Sequence, residues 1–353
     1  MKDITSQNID TFVSLIEKAE RIAIVGHMKP DGDALGSCMG VYHCLSLYGK
    51  EDRKVIFPHR TQPQLNFLID KENSKDILIH EDKPAAAEEA IKEADLIICL
   101  DFNSFYRTDK LETVLAESAA SKILIDHHLN PDREAFDLTF SETEISSASE
   151  LAYQILMRVP AIGGDAAKLP EKAALALMTG MTTDTNNFAN SVFPSTLRMA
   201  SALLEAGVNR DMIISNIYQQ HRESRMRLMG HVLKDLMTIT SDGVAYIILN
   251  KETLQKYYIE EGDTEGFVNL PLSIARVKMS LLLKEDGDKM RVSIRSKKGV
   301  SANRCSRLHF NGGGHENAAG GRLHIPQDIA GAEYAASYVE EHTHIFMTRE
   351  NDE

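Results

Sequence analysis

The apolar positions of the first half fall into short β-branched runs separated by stretches with helical spacing. Residues 21–25, 54–57, 95–100 and 122–125 read as buried strands, and their alternation with helix-like segments predicts an α/β unit with a parallel sheet. After Gly32 and Asp33, the apolar residues Leu35, Met39, Tyr42 and Leu45 return at helical intervals, so the first strand feeds a turn and then a helix, the opening of a doubly wound unit. Residues 147–157 and 171–181 predict two more helices. Between 194 and 236 the pattern is helical and charge-laced with no strand, which reads as a linker. Beyond it, 244–249, 280–284 and 290–294 predict strands, with Gly243 and the polar cluster at 285–288 marking turns, and 329–344 predicts a last helix before a polar tail.

A chain of 353 residues is long for one core and suits two. The expected organisation is an α/β domain with a mainly parallel sheet at 1–190, a helical linker at 191–236, a smaller α/β domain at 237–346 and a polar tail at 347–353. The longest apolar runs fall far short of the roughly 20 residues that span a bilayer, and the first residues lack the basic-then-apolar order of a secretory signal, so a cytoplasmic protein with no membrane partner is expected. Cys38, Cys44, Cys99 and Cys305 lack the paired spacing of a zinc site and are read as reduced thiols. A formal net charge of -13 argues against coating long nucleic acids, whose binding depends on neutralising many phosphates. Any nucleotide substrate should be short.

The acids and histidines fall at the ends of the predicted strands. The first strand runs into His27, Asp31, Gly32 and Asp33, the third into Asp101, and the fourth into Asp126, His127 and His128. In a parallel sheet, ligands bind outside the carboxyl ends of the strands, so these loops should converge on one crevice. Asp184, near the end of a helix, adds one more carboxylate. Taken singly, an Asp after a strand caps a helix and paired histidines form a turn; together they predict a site. Gly32 is read as a sharp bend that lets Asp31 and Asp33 turn toward a common centre. Four carboxylates in one crevice would repel strongly, and two divalent cations would cancel that charge. Mixed imidazole and carboxylate donors suit manganese, iron, cobalt or zinc better than calcium, and availability favours manganese.

In their order, residues 27–37, Asp101, the Asp126-His127-His128 triplet and Asp184 resemble the four motifs of the DHH phosphoesterases, and 312–320, with Gly312, Gly313, Gly314, His315, Ala318, Ala319 and Gly320, is similar to the glycine-rich signature of the DHHA1 domain. The resemblance covers nearly the whole chain. It implies one metal on His27, Asp31 and Asp101, a second on Asp33, Asp101, His127 and Asp184, and hydrolysis by a hydroxide bridging two divalent ions, Mn2+ foremost with Mg2+ or Co2+ as alternatives. His128 would meet the scissile phosphate beside the bridging Asp101, and Asp126 would orient a neighbouring imidazole. In the smaller domain, Arg295, Ser296, Gly312, Gly313, Gly314 and His315 would bind substrate, the glycine N–H groups forming an anion cradle before a helix and Arg295 a fork for phosphate.

Within that family, the architecture points to the branch that acts on nanoRNA, linear dinucleotides and 3'-phosphoadenosine 5'-phosphate. The regulatory and membrane segments of cyclic-dinucleotide phosphodiesterases and the additional domain of RecJ-type exonucleases are not evident. A pyrophosphatase or exopolyphosphatase and a catalytically silent nucleotide-binding module are the alternatives, and the helical linker could pair two chains in a homodimer.

Overall fold

The computed structural model describes residues 2–260 and 262–352, and the side chains of all of these except 315 and 349–352. The chain divides into two compact units, 1–220 and 221–353.

In the first unit, strands β1 (Ile22–Val25), β2 (Arg53–Phe57), β3 (Ile77–Ile79), β4 (Leu96–Leu100), β5 (Ser121–Asp126) and β6 (Leu138–Ser141) form one sheet in the order β3-β2-β1-β4-β5-β6. Every pairing in it is parallel. Helices α1 (Ser6–Lys18), α2 (Gly32–Cys44), α3 (Pro84–Glu93), α4 (Glu112–Glu117), α5 (Ala148–Leu156) and α6 (Glu171–Asp184) cover its faces. The central strands are apolar without interruption because both faces are buried. Ile22 and Ile24 of β1, with Leu96, Ile98 and Leu100 of β4, join the cluster containing Phe12 of α1, Leu35 of α2 and Leu177 of α6. Ala23 and Val25, with Ile97 and Cys99, join the opposite cluster with Ile91 of α3 and Leu115 of α4. The sheet is therefore doubly wound, as the hydrophobic alternation predicts. Strand order reverses between β1 and β4, which marks the topological switch point.

The helical segment expected to link the halves is shared between them. Helices α7 (Pro194–Glu205) and α8 (Arg210–Tyr218) bury Met199, Leu203 and Ile213 in the first unit's core. Helix α9 (Glu223–His231) instead places Leu228 in a cluster of the second unit with Phe267 and Ile247.

The second unit is a smaller α/β unit. Its strands are β7 (Met237–Ile239), β8 (Val244–Leu249), β9 (Met279–Asp286), β10 (Lys289–Ser296), β11 (Gly313–His315) and β12 (Ala318–His324), in the order β11-β12-β10-β9-β8-β7. Only the β8–β9 pairing is parallel. Strands β9 and β10 form a tight hairpin around Gly287, whose φ of 64° glycine adopts without steric cost. Helix α10 (Lys251–Lys256) follows β8; α11 (Ala302–His309) and α12 (Ala335–Asp352) pack Cys305 and Val339 against Leu281 and Ile294 of the sheet. The last helix begins six residues later than the expected 329 and runs on to Asp352, past the expected end at 344. Among the described residues no helix is long and apolar enough to cross a membrane.

Candidate metal centre

Each polar residue expected at a strand end sits outside the carboxyl edge of the parallel sheet. His27 and Asp31 follow β1, Asp101 follows β4, and His127 and His128 follow β5, three neighbours around the switch point. Asp33 lies in the first turn of α2 and Asp184 at the last residue of α6. The structure brings all seven together. His27 Nε2 is 3.3 Å from Asp101 Oδ2 and 3.8 Å from Asp31 Oδ1. His127 Nε2 is 3.4 Å from Asp101 Oδ1, 3.7 Å from Asp184 Oδ2 and 3.9 Å from Asp33 Oδ2. Three groupings have donor atoms within 4.8 Å of one another, His27 with Asp31 and Asp101, Asp33 with His127 and Asp184, and Asp101 with His127 and His128; Asp101 faces His27 and His127 at 3.3 and 3.4 Å, and its Oδ1 lies 3.8 Å from His128 Nδ1.

Local structure explains the aim of each group. Asp31 is the N-cap of α2, where one oxygen, Oδ1, accepts from the backbone N–H groups of Asp33 and Ala34. The capping reading and the site reading thus hold for the same residue. Asp33 is buried, and its Oδ2 and Oδ1 accept at 2.6 and 2.8 Å from the N–H groups of Ala148 and Ser149, in the first turn of α5. A helix N-terminus favours a carboxylate. His27 Nδ1 lies 2.8 Å from the carbonyl of Met28; donating to it leaves Nε2 as the electron-pair donor. Asp101 has φ of 64°, uncommon for a residue with a Cβ, and its N–H donates to Ile125 O on the neighbouring strand.

Gly32 does not bend the chain as expected. It is the first residue of α2, and a Cβ there would collide with the Thr183 side chain of α6. Gly36 and Gly40 continue the same seam, meeting the backbone of Ala176 and Gly180 and the side chain of Leu177. The glycines are small so that α2 and α6 approach closely, and that approach carries Asp184 to Asp33. Asp31 and Asp33 point differently because one caps the helix and the other lies inside it.

The electrostatics are those of crowded carboxylates. Burial and the charges of Asp101 and Asp184 hold Asp33 well above the usual carboxylate range. Burial also raises Asp184 to about 6, helped by Asp101 and Asp31 against the pull of His127, although 31% of its side chain stays in solvent at the mouth of the site. Burial disfavours charge on the imidazoles, yet Asp101 and Asp31 raise His27 to about 11, and Asp101 with Asp33 raises His127 to about 10. Asp101 is held below the usual range by the two histidines, against its own burial. Its buried Oδ1 nevertheless accepts no hydrogen bond. A buried carboxylate oxygen that accepts no hydrogen bond and faces imidazole nitrogens could serve as a metal ligand, and the mixed oxygen and nitrogen donor set fits divalent manganese, iron, cobalt or zinc.

His128 differs from its neighbour. Its Nδ1 is 2.7 Å from Asp126 Oδ1, and Asp126 is buried at the end of β5. Asp126 therefore orients the ring. Sequence reading did not single out Ser147, whose hydroxyl caps α5 by accepting from Glu150 N and thereby positions the N–H groups that hold Asp33. The Ser147–Glu150 spacing was the available signal, being that of a capping box.

The residues expected to bind substrate lie in the second unit. Arg295 is the next-to-last residue of β10, opposite Ala318 and half-buried, with Nη1 donating at 2.9 Å to Ile294 O. Ser296 is buried, and its hydroxyl donates to Val300 O and accepts from the Asn317 amide, so its hydrogen bonds are used within the unit. The glycine run does not precede a helix. Gly313 and Gly314 lie in β11, antiparallel to β12, while Gly312 N–H donates to Ser306 O and Gly314 N–H to Asn303 Oδ1. A Cβ at Gly312 or Gly314 would strike the backbone of β12, and Gly314 has φ of 152°. Gly312 and Gly314 are glycine because two strands lie too close there for side chains, whereas a Cβ at Gly313 would meet only Asn303 and Arg307 at ordinary contact distance. The expected cradle at a helix N-terminus is absent from this segment. His315 ends β11, and its side chain lies outside the described residues.

Comparison with known proteins gives two family matches, the DHH family N-terminal domain over residues 21–181 and the DHHA1 domain over 220–337. The chain is 27% identical over 317 residues to the bifunctional oligoribonuclease and PAP phosphatase of Bacillus subtilis, covering 88% of this chain and 92% of that protein. To the protein of the same name from Thermus thermophilus it is 30% identical over 306 residues, covering 86% and 84%. A crystal structure of an exopolyphosphatase-related protein from Bacteroides fragilis superposes with a TM-score of 0.90 at 37% identity, covering 99% of both chains.

Proposed function

This chain belongs to the DHH family, and from that premise we propose that it is a metal-dependent phosphoesterase acting on short oligoribonucleotides, linear dinucleotides and 3'-phosphoadenosine 5'-phosphate. The observation that carries the proposal is the pairing of two histidine–carboxylate groupings on either side of the buried Asp101, whose two oxygens face His27 and His127. Relatives named for oligoribonuclease and PAP phosphatase activity over most of both chains support the substrate class.

His27, Asp31 and Asp101 would hold one divalent ion, and Asp33, Asp101, His127 and Asp184 a second; manganese suits the donors and is the ion we propose. Such ions, when bound, polarise phosphoryl oxygens and acidify water. The chain's own contribution is to hold these donors in place, through the Asp31 cap, the α5 N–H groups on Asp33 and the His27–Met28 bond. His128, fixed through Nδ1 by Asp126, would in its protonated form donate from Nε2 to the reacting phosphate or to the leaving oxygen. Arg295, Gly313 and His315 are assigned to recognition of the nucleotide portion, with Ser296, Gly312 and Gly314 shaping the strands that carry them. The four buried cysteines suit a reducing cytoplasm.

A second reading, polyphosphate hydrolysis, is favoured by the likeness to the exopolyphosphatase-related protein. The test is to incubate metal-free protein, with and without Mn2+, with 5'-labelled oligoribonucleotides, 3'-phosphoadenosine 5'-phosphate, pyrophosphate and polyphosphate. Mn2+-dependent turnover with kcat/KM highest for chains of about two to five nucleotides is expected, since extra phosphates gain little on a chain of net charge -13. Preference for polyphosphate would establish the second reading, and no turnover with any of them would leave a silent nucleotide-binding module.

A further inference from the structure

His59 follows β2, at the same carboxyl edge of the sheet as the metal centre. Its ring stands between two loops. Nδ1 accepts the backbone N–H of Lys29 at 3.3 Å, which leaves the ring proton on Nε2, and Nε2 faces Asp109 Oδ2 at 3.5 Å. Lys29 lies in the six-residue loop 26–31 that carries His27 and Asp31, while Asp109 lies in the segment Phe105–Leu111 that follows Asp101. Both residues that flank the imidazole have left-handed backbone, φ 54° at Lys29 and 51° at Asp109. Such conformations are costly for residues with a Cβ and persist where surrounding contacts fix them. The two loops are joined a second time where Met28 N–H donates at 2.8 Å to Arg107 O. The Asp109 segment is itself anchored, with Thr108 and Leu111 fully buried. One imidazole therefore ties the loops after β1, β2 and β4 together within two residues of both His27 and Asp31.

We propose that His59 is the positioning residue of this ligand loop: held between the Lys29 N–H and Asp109, it keeps His27 and Asp31 where they can share a divalent ion with Asp101. His59 touches neither the ion nor substrate in this role. The inference rests on the metal reading given above. Groups that orient ligands typically change metal affinity by about 10- to 100-fold when removed.

The experiment uses the full-length protein, stripped of metal and titrated calorimetrically with MnCl2, in unsubstituted, H59N and H59Q forms, with the melting temperature of each metal-free protein recorded. Asn places an oxygen near the position of Nδ1 and keeps an acceptor for the Lys29 N–H; Gln places its head group near Nε2 and withdraws that acceptor. The His59 side chain is 27% exposed, so both replacements are accommodated. The expected result is that H59Q weakens one of two Mn2+ equivalents about 10- to 100-fold while H59N stays within a few-fold of the unsubstituted protein, at equal metal-free melting temperatures. Unchanged binding in H59Q would overturn the positioning role while leaving the metal centre in place, whereas equal weakening in both variants would support it and show that the Asp109 contact is needed as much as the Lys29 one. Absence of Mn2+ binding by the unsubstituted protein would remove the metal reading and this inference with it.

Discussion

Asp126 Oδ1 lies 2.7 Å from His128 Nδ1, whereas His127 Nε2, one residue earlier, faces Asp33, Asp101 and Asp184 at 3.4–3.9 Å. Two adjacent imidazoles thereby receive different tasks. His127 is surrounded by three carboxylates, whereas the His128 ring is steadied by the buried Asp126, with Asp101 Oδ1 farther off at 3.8 Å.

His128→Ala should accordingly lower kcat on a dinucleotide by about 100-fold or more, the scale of a lost acid or hydrogen-bond donor, while both metal equivalents remain. Asp126→Asn should fall in the same direction with a smaller loss. Metal content by mass spectrometry alongside kcat decides the matter: a missing metal equivalent in His128→Ala would make that residue a ligand and erase the distinction.

Asp101→Asn removes a charge that faces both histidines. Because its Oδ1 and Oδ2 serve different groupings, the variant should lose affinity for both metals, with kcat/KM down about 100-fold or more at any practical metal concentration. Far-ultraviolet circular dichroism should be unchanged. Tight binding of two Mn2+ by this variant would show that the carboxylate is not shared.

The sequence made the centre of this fold legible because β1, β4 and β5 are buried on both faces and so appear as unbroken apolar runs ending in polar residues. Strand β3, three residues at the sheet edge, and β12, with two alanines and two glycines in seven residues, lack that signature and were not predicted. The seven site residues could be collected by their place at strand and helix ends. The reason for Gly32 could not, since a bend and a close helix approach demand the same residue and only the partner helix distinguishes them. His59 and Asp109 were not singled out in the sequence, because His59 meets Asp109 directly and Lys29, 30 positions away along the chain, only in the fold.

His43, on α2, gives a pH-dependent stability term away from the metal centre. Burial, then the positive charge of Lys172, lowers its pKa from an ordinary 6.5 to about 4. The folded protein therefore holds it neutral while the unfolded chain binds a proton once pH falls below 6.5, so stability decreases with acidification from about pH 6.5 to 4 and levels off below. With its remaining solvent contact allowed for, the loss is on the order of 2 kcal/mol. His43→Leu should show a smaller drop in urea midpoint between pH 7.5 and 4.5 than the parent. Parallel losses in the two proteins would mean that His43 does not carry the effect.

The seam between α2 and α6 makes a prediction whose sign opposes helix propensity. Replacing a helical glycine by alanine ordinarily stabilises by about 0.5–1 kcal/mol. At Gly36, however, the new Cβ would lie 2.6 Å from Ala176 O and 2.8 Å from Gly180 Cα, backbone atoms that cannot rotate away. Gly36→Ala should therefore destabilise by about 1–3 kcal/mol, the usual cost of overpacking. At Gly40 the obstacle is the Leu177 side chain, which can change rotamer, so Gly40→Ala should cost less. Because α6 ends at Asp184 and α2 carries Asp33, forcing the helices apart at Gly36 should also weaken the Mn2+ equivalent assigned to Asp33, His127 and Asp184. Thermal melting of both variants, with calorimetric Mn2+ titration of Gly36→Ala, checks each step. A Gly36→Ala protein as stable as the parent and unchanged in both metal affinities would show that the close approach of the two helices does not set the spacing of the site.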